Sequence, residues 1–447
     1  MISRASRCVA SGAVTAAAPP GTVVPADGPA GTDNGLVLAP FRAVRPAVGA
    51  DRLGRLLCPP YDVIDAAERA RLLAADPENA VGLVLPEEID GVDRYTAAAQ
   101  RLDRQLADGL LAVDEAPALY VYEMRDRSAA VTRGLVGAVG LRDPQQQVIL
   151  PHENTMAGPV ADRLALMTAT QANVEPIYLV YDGGGAASDA VRAVDALDTV
   201  AETSTPDGIE HRLWALTDPA VHVAIAADLA PRRALIADGH HRYATYRELQ
   251  RQADQTVGRG PWDRGLTLLV DSSAYGPQVH AIHRVLIGYP LERAVVALTG
   301  HADVTEAAGL AEALAALDAA RGFAIVLTDG RRALVVSDRE GRLVHATRRA
   351  GEPEVLAELD VTVLHRTLVQ SIWGLQDTVD VVDYAHSLDE AVAAALRSGG
   401  SAVLLRPTPV AAVAAVAAAG ARMPRKSTLF TPKPASGLMM RRFADEL

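Results

Sequence analysis

Ala234-Leu235-Ile236-Ala237-Asp238-Gly239-His240-His241-Arg242-Tyr243-Ala244-Thr245 is the stretch on which the reading of this chain turns. Its apolar start reads as a strand, and Arg242 to Ala253 carries the spacing of a helix. The junction therefore falls on an acid, a glycine, two imidazoles and a guanidinium. Gly239 permits a sharp turn and a close approach of backbone to a ligand. A helix opening near His240 presents unpaired amide N–H groups and the positive end of its dipole. Together they predict a phosphate site, with Arg242 as a bidentate donor and Asp238 free to hold a metal ion or accept a proton.

Working outward, Ala118 to Met124 and Gly134 to Leu141 read as paired strands, and Ile177 to Tyr181 as another. Asp65 is the expected N-cap of a helix running through Leu73, and Asp218 that of a helix over Pro219 to Leu229. Leu266 to Val270 and Val279 to Leu286 are further strand candidates. From Leu291 onward helices and strands alternate: helices at 291–298, 307–319, 361–373, 388–397 and 409–419, strands at 323–327, 333–337 and 402–405. That texture predicts an α/β (α+β) architecture with a second lobe.

A chain of 447 residues is long for one hydrophobic core. Hydrophobic residues make up 49% and charged residues 22%, the balance of a globular protein. With 43 Lys+Arg against 55 Asp+Glu, the net charge of −12 disfavours duplex nucleic acid as the main ligand. Cys8 and Cys58 are too few for a disulfide framework or a zinc knuckle, which fits a reduced, cytoplasmic setting. The apolar run Val410 to Ala421 is too short to span a bilayer and reads as a buried helix. Residues 1–35, rich in Ala, Pro, Gly, Ser and Thr, read as a disordered extension.

Two further features bear on chemistry. His152-Glu153 invites a zinc-protease reading, but Met156 stands where the second histidine belongs. The pair remains a source of a general base or a magnesium ligand, or else a capping cluster. The chain holds only two lysines, Lys426 and Lys433, both in Met423-Pro424-Arg425-Lys426-Ser427-Thr428-Leu429-Phe430-Thr431-Pro432-Lys433-Pro434. Where arginine is the default cation, a retained ammonium points to a place where a compact charge matters. This tail reads as an extended segment folded back on the body, with Lys426 or Ser427 near a phosphate. Cys58-Pro59-Pro60-Tyr61-Asp62 reads as a rigid turn that aims Asp62 and buries an inert thiol. His283-Arg284 and His365-Arg366 read as packed histidines beside solvated arginines, with one pair a candidate contributor to a polyanion pocket.

Phe41 to Pro46, Cys58 to Ile64, His152 to Thr155 with Asp162-Arg163, Ala237 to Thr245, Leu359 to Val361 with Leu364-His365, Leu405 to Thr408 and Met423 to Arg441 occur in this order. Together they resemble the bacterial and archaeal family known as domain of unknown function 1015, whose members are often labelled SpoOJ/ParA/ParB/RepB family proteins. The loop Asp238 to Arg242 also resembles the phosphate-binding loop of the ParB/sulfiredoxin fold. It matches the Asp-Gly-His-His-Arg loop of archaeal free-serine kinases. His240 stands where sulfiredoxins carry cysteine.

The resemblance implies a ParB/sulfiredoxin-like nucleotide-binding core over 36–290 and an additional α/β lobe over 291–447 whose tail returns to the core. It implies a nucleotide-dependent small-molecule kinase, with free serine as a candidate acceptor. Asp238, Glu153, Asp62 and His152 would be catalytic. Gly239, His240, His241, Arg242, Lys426 and Ser427 would hold ATP or ADP, and Asp238 and Glu153 would hold Mg2+. The alternatives are a non-enzymatic nucleotide switch of the ParB type and a phosphate-ester hydrolase. The expected partner is a small-molecule substrate, with a homodimer in view and neither membrane nor nucleic acid.

Overall fold

The computed structural model describes residues 35–446. The extension expected to be disordered lies, apart from Gly35, outside the described residues. The structure is a mixed α/β fold built on two large sheets. In the nine-stranded sheet the order is Ile149–Leu150, Ala234–Asp238, Ile177–Tyr181, Arg264–Asp271, Val131–Gly140, Leu119–Arg125, Glu210–Leu216 and Ala201–Ser204, with Leu38–Ala39 also paired to Val131–Gly140. The pairings of 234–238 with 149–150 and of 177–181 with 264–271 are parallel; the others are antiparallel.

The central strands read as unbroken apolar runs because both of their faces are covered. Along Ile177–Tyr181, Tyr178 and Val180 enter one core with Tyr120, Tyr122 and Leu268, while Ile177, Leu179 and Tyr181 enter the other. The helices Gly185–Ala193, Pro219–Leu229 and His240–Thr256 supply Val191, Ile225, Leu229, Tyr243 and Tyr246 to the second core. On the first face the cover comes from far along the chain: Val413 and Val416 of helix Val410–Ala418, then Met423, Phe430, Leu438 and Met439. Each such side chain, fully buried, contributes about 1.5–3 kcal/mol. The tail is thus part of the core.

The six-stranded sheet is wholly antiparallel, in the order Asp303–Glu306, Ala333–Ser337, Ala324–Thr328, Ser401–Leu404, His283–Leu286, Val382–Ala385. Helices Leu310–Ala319 and Leu388–Ser398 cover one face with Ala313, Leu317, Ala391 and Ala395.

Two differences from the sequence reading have clear causes. Val279 to Leu286 is not one strand: Gln278–His280 pairs with Leu429–Thr431, and His283–Leu286 joins the six-stranded sheet. The second sheet therefore recruits a strand from before residue 291. The hairpin Ala201–Ser204 with Glu210–Leu216 gave no apolar alternation, because its inward position 211 is a histidine. That buried ring is satisfied by Tyr122 Oη at 2.8 Å and Thr205 Oγ1 at 2.9 Å. No helix among the described residues is long and apolar enough to cross a membrane.

Candidate functional site

Strand Ala234–Asp238 ends at Asp238, Gly239 turns with φ +92°, and helix His240–Thr256 begins. The left-handed φ explains the glycine, and an added Cβ would meet Ile177 Cγ2 at 3.1 Å and Arg242 Nε at 3.2 Å. No side chain caps the helix, so its first amides receive no side-chain acceptor from the N-cap.

The guanidinium of Arg242 is turned inward. It is 3% exposed, and its terminal nitrogens donate to the Pro176 carbonyl and the Asp238 carboxylate. Arg242 is therefore a clamp that fixes Asp238, which corrects its expected role as a free phosphate donor. The second carboxylate oxygen of Asp238 accepts from Lys433 Nζ at 2.6 Å. Lys433 also reaches Asp62 Oδ2 at 3.1 Å. Burial works against its charge, but Asp238 and Asp62 outweigh burial and hold the ammonium above its ordinary range. Burial likewise raises Asp62, yet Lys433 and Arg242 outweigh it and keep the carboxyl below its usual range. Sequence reasoning noticed Lys433 only as one of two lysines and assigned it no role. That scarcity was the signal that could have found it.

Glu153 faces the same group. Burial pushes its carboxyl up to about 7, with the Asp238 charge adding to the rise while Lys426, the Ser427 amide and Lys433 pull the other way. Lys426 is exposed and makes no ion pair among the described residues. Its backbone sits at φ +54°. Ser427 is buried, with its hydroxyl donating to the Pro424 carbonyl.

The histidines lace the loop 152–156 onto the helix. His152 N donates to His240 Nε2 at 3.2 Å, and the two rings meet edge to face at 4.5 Å between centroids. Met156 N donates to His241 Nε2 at 3.1 Å. His152 is wholly buried, with Nε2 3.0 Å from Thr428 Oγ1, and burial lowers it to about 4. It is a neutral prop inside the fold, not the acid or base expected of it. Burial also pushes the Cys58 thiol well up, consistent with an inert cysteine.

Asp238 and Glu153 do not fit a protein-built magnesium centre. Asp238 is taken by two cations, Glu153 holds a proton near neutrality, and no group of three His, Cys, Asp or Glu among the described residues could hold a metal ion. A 310 Å³ cleft lined by Val48, Arg52, Glu78, Arg104 and Leu110 shares no residue with this constellation.

The constellation is thus three carboxyl groups (Asp62, Asp238 and Glu153) interleaved with Lys433 and Lys426 at an uncapped helix start. Among the described residues Lys426 is the cation of this set that forms no ion pair, and Glu153 is the carboxyl group suited to exchange a proton near neutral pH. The model described as "Protein of unknown function (DUF1015)" matches residues 38–362, and the chain belongs to that family. No curated protein matches it. Among solved structures it is similar to a free serine kinase in complex with AMP, at 15% identity and TM-score 0.34, covering 64% of this chain and 84% of that one. A conserved hypothetical protein from Pyrococcus furiosus is similar at 15% identity and TM-score 0.33, covering 67% and 94%. SbnI from Staphylococcus aureus is similar at 11% identity and TM-score 0.33, covering 67% and 85%.

Proposed function

We propose that this protein is a nucleotide-dependent phosphotransferase acting on a small hydroxylated metabolite, free serine among the acceptors to test, on a ParB/sulfiredoxin-like core. The observation that carries the reading is Glu153. A carboxyl group with a value of about 7 sits among Lys426, Lys433 and Asp238 beside a helix start with no cap. Its proton affinity suits a general base working near neutral pH. The helix amides and Lys426 would receive the phosphates of ATP. Glu153 would take the proton of the acceptor hydroxyl as that oxygen bonds to the γ-phosphorus, while the bond from phosphorus to the β-bridging oxygen breaks and ADP departs. Lys433 would hold Asp238 and Asp62 in place and offset charge as it shifts. Positioning and charge neutralisation are the main requirements of such a transfer.

Calorimetric titration with ATP and ADP, followed by a product assay over a panel of hydroxylated amino acids, tests the reading. Saturable ATP binding and an acceptor-dependent phosphorylated product support it. Binding without product favours a nucleotide switch, acceptor-independent phosphate release favours a hydrolase, and no binding of either nucleotide ends the reading.

A further inference from the structure

Arg284 lies on strand His283–Leu286 of the six-stranded sheet and is fully buried. A buried guanidinium ordinarily rests against a carboxylate. Arg284 does not. Its Nε donates to His365 Nε2 at 2.9 Å, one terminal nitrogen donates to the Ile282 carbonyl, and the other donates to the carbonyls of Lys426 at 2.9 Å and Arg425 at 3.2 Å. Since Nε2 of His365 accepts, its ring proton is on Nδ1, which meets Asp377 Oδ2 at 2.8 Å. The countercharge therefore sits one imidazole away. The Tyr384 ring, 5.0 Å from the guanidinium, fills its remaining side.

We infer that Arg284 is a positioning residue through which the second lobe sets the phosphate end of the site, by gripping the two carbonyls that hold Lys426 in its left-handed turn. A lysine rarely adopts that backbone unless its surroundings impose it. Two carbonyls drawn onto one planar guanidinium impose it here. The grip sets the Ser427 amide on Glu153, and the Lys426 ammonium, which forms no ion pair among the described residues, acts on that same carboxyl through its charge. The positive charge of Arg284 also reaches Glu153. The second lobe is on this view a working part of the site. The ligand arm of the inference rests on the nucleotide reading above; the geometric arm does not.

The test uses the full chain, labelled with 13C-lysine, which gives two lysine side-chain signals assignable by Lys426→Arg and Lys433→Arg. Because Arg284→Met risks unfolding the sheet, His365→Leu and His365→Gln carry the comparison. Glutamine can accept from Arg284 and donate to Asp377, whereas leucine can do neither. In His365→Leu the Lys426 signal is expected to move while that of Lys433 stays, and ADP affinity is expected to fall about tenfold. His365→Gln should stay within about threefold of wild type. A Lys426 signal unmoved in His365→Leu, with ADP affinity unchanged, overturns the inference while leaving the nucleotide reading intact. If wild type binds neither ADP nor ATP, that reading fails, and the positioning claim stands or falls on the Lys426 signal alone.

Discussion

At the scale of single residues, the charge state of Glu153 governs two measurable behaviours. In the folded protein it keeps its proton to about 7, whereas its ordinary value is 4.5. Between those values the unfolded chain binds fewer protons, so this group's contribution to stability falls as pH rises. His152 and His211 act oppositely: burial lowers both to about 4 from 6.5, so their contribution grows as pH rises through that window. Comparing Glu153→Gln with wild type isolates the first effect. The variant should gain on wild type between pH 5 and 8 by on the order of 1 kcal/mol, discounted for partial exposure, in thermal melts across that range. Parallel melting curves would show that the carboxyl is not held protonated. Lys433→Met strips the cation from Asp238 and Asp62, and should cost about 1–3 kcal/mol in urea titrations. An unchanged midpoint would contradict the ion pairs described here.

Elements were legible where local rules and tertiary packing agree. Asp65 and Asp218 cap their helices as expected, accepting from Glu68 N and Ala220 N at 2.8 Å each. Ile177–Tyr181 and Pro219–Leu229 have the bounds read from the sequence. The glycine turn before the helix was legible because only a left-handed position demands glycine there. Gly239→Ala should cost about 1–2 kcal/mol in chemical denaturation, from backbone strain and crowding against Ile177. A smaller cost would mean the turn relaxes. What the sequence withheld was where side chains point. Nothing local tells that Arg242 turns inward to the Pro176 carbonyl while Lys433, nearly two hundred residues later, comes to Asp238. Likewise Arg284, read as a solvated arginine, is fully buried, since His365 on helix Leu364–Ile372 and the carbonyls of Arg425 and Lys426 in a tail turn are remote in sequence. Edge strands such as Val382–Ala385 escaped notice because Asp383 points out and breaks the apolar run.

Across the whole molecule the last two dozen described residues act as a seam. Leu429–Thr431 pairs with Gln278–His280, Ser436 bridges Cys58, Met440 bridges Val44, and Arg441–Arg442 pairs with Ala172–Asn173. The return of the tail was legible from its interleaved Phe430, Met439 and Met440, which a solvated basic segment has no reason to carry. Its end is fixed by Arg441, fully buried, donating to Asn173 Oδ1 at 3.1 Å, to the Arg264 and Pro261 carbonyls at 2.9 and 2.7 Å, and to Glu446. Arg441→Ala leaves these acceptors and Glu446 unmatched, and should lower stability by about 3 kcal/mol, read as an earlier melting transition. A variant that melts with wild type would show the seam held by its apolar residues alone.

The seam has a consequence for biosynthesis. A ribosome has already translated the glycine turn, Glu153 and the whole six-stranded sheet before it reaches codon 433. Any chain released or stalled short of that codon carries Asp238 and Asp62 without the ammonium that joins them. Truncated products would therefore leave those two acids without their shared cation and one face of the first sheet without part of its cover.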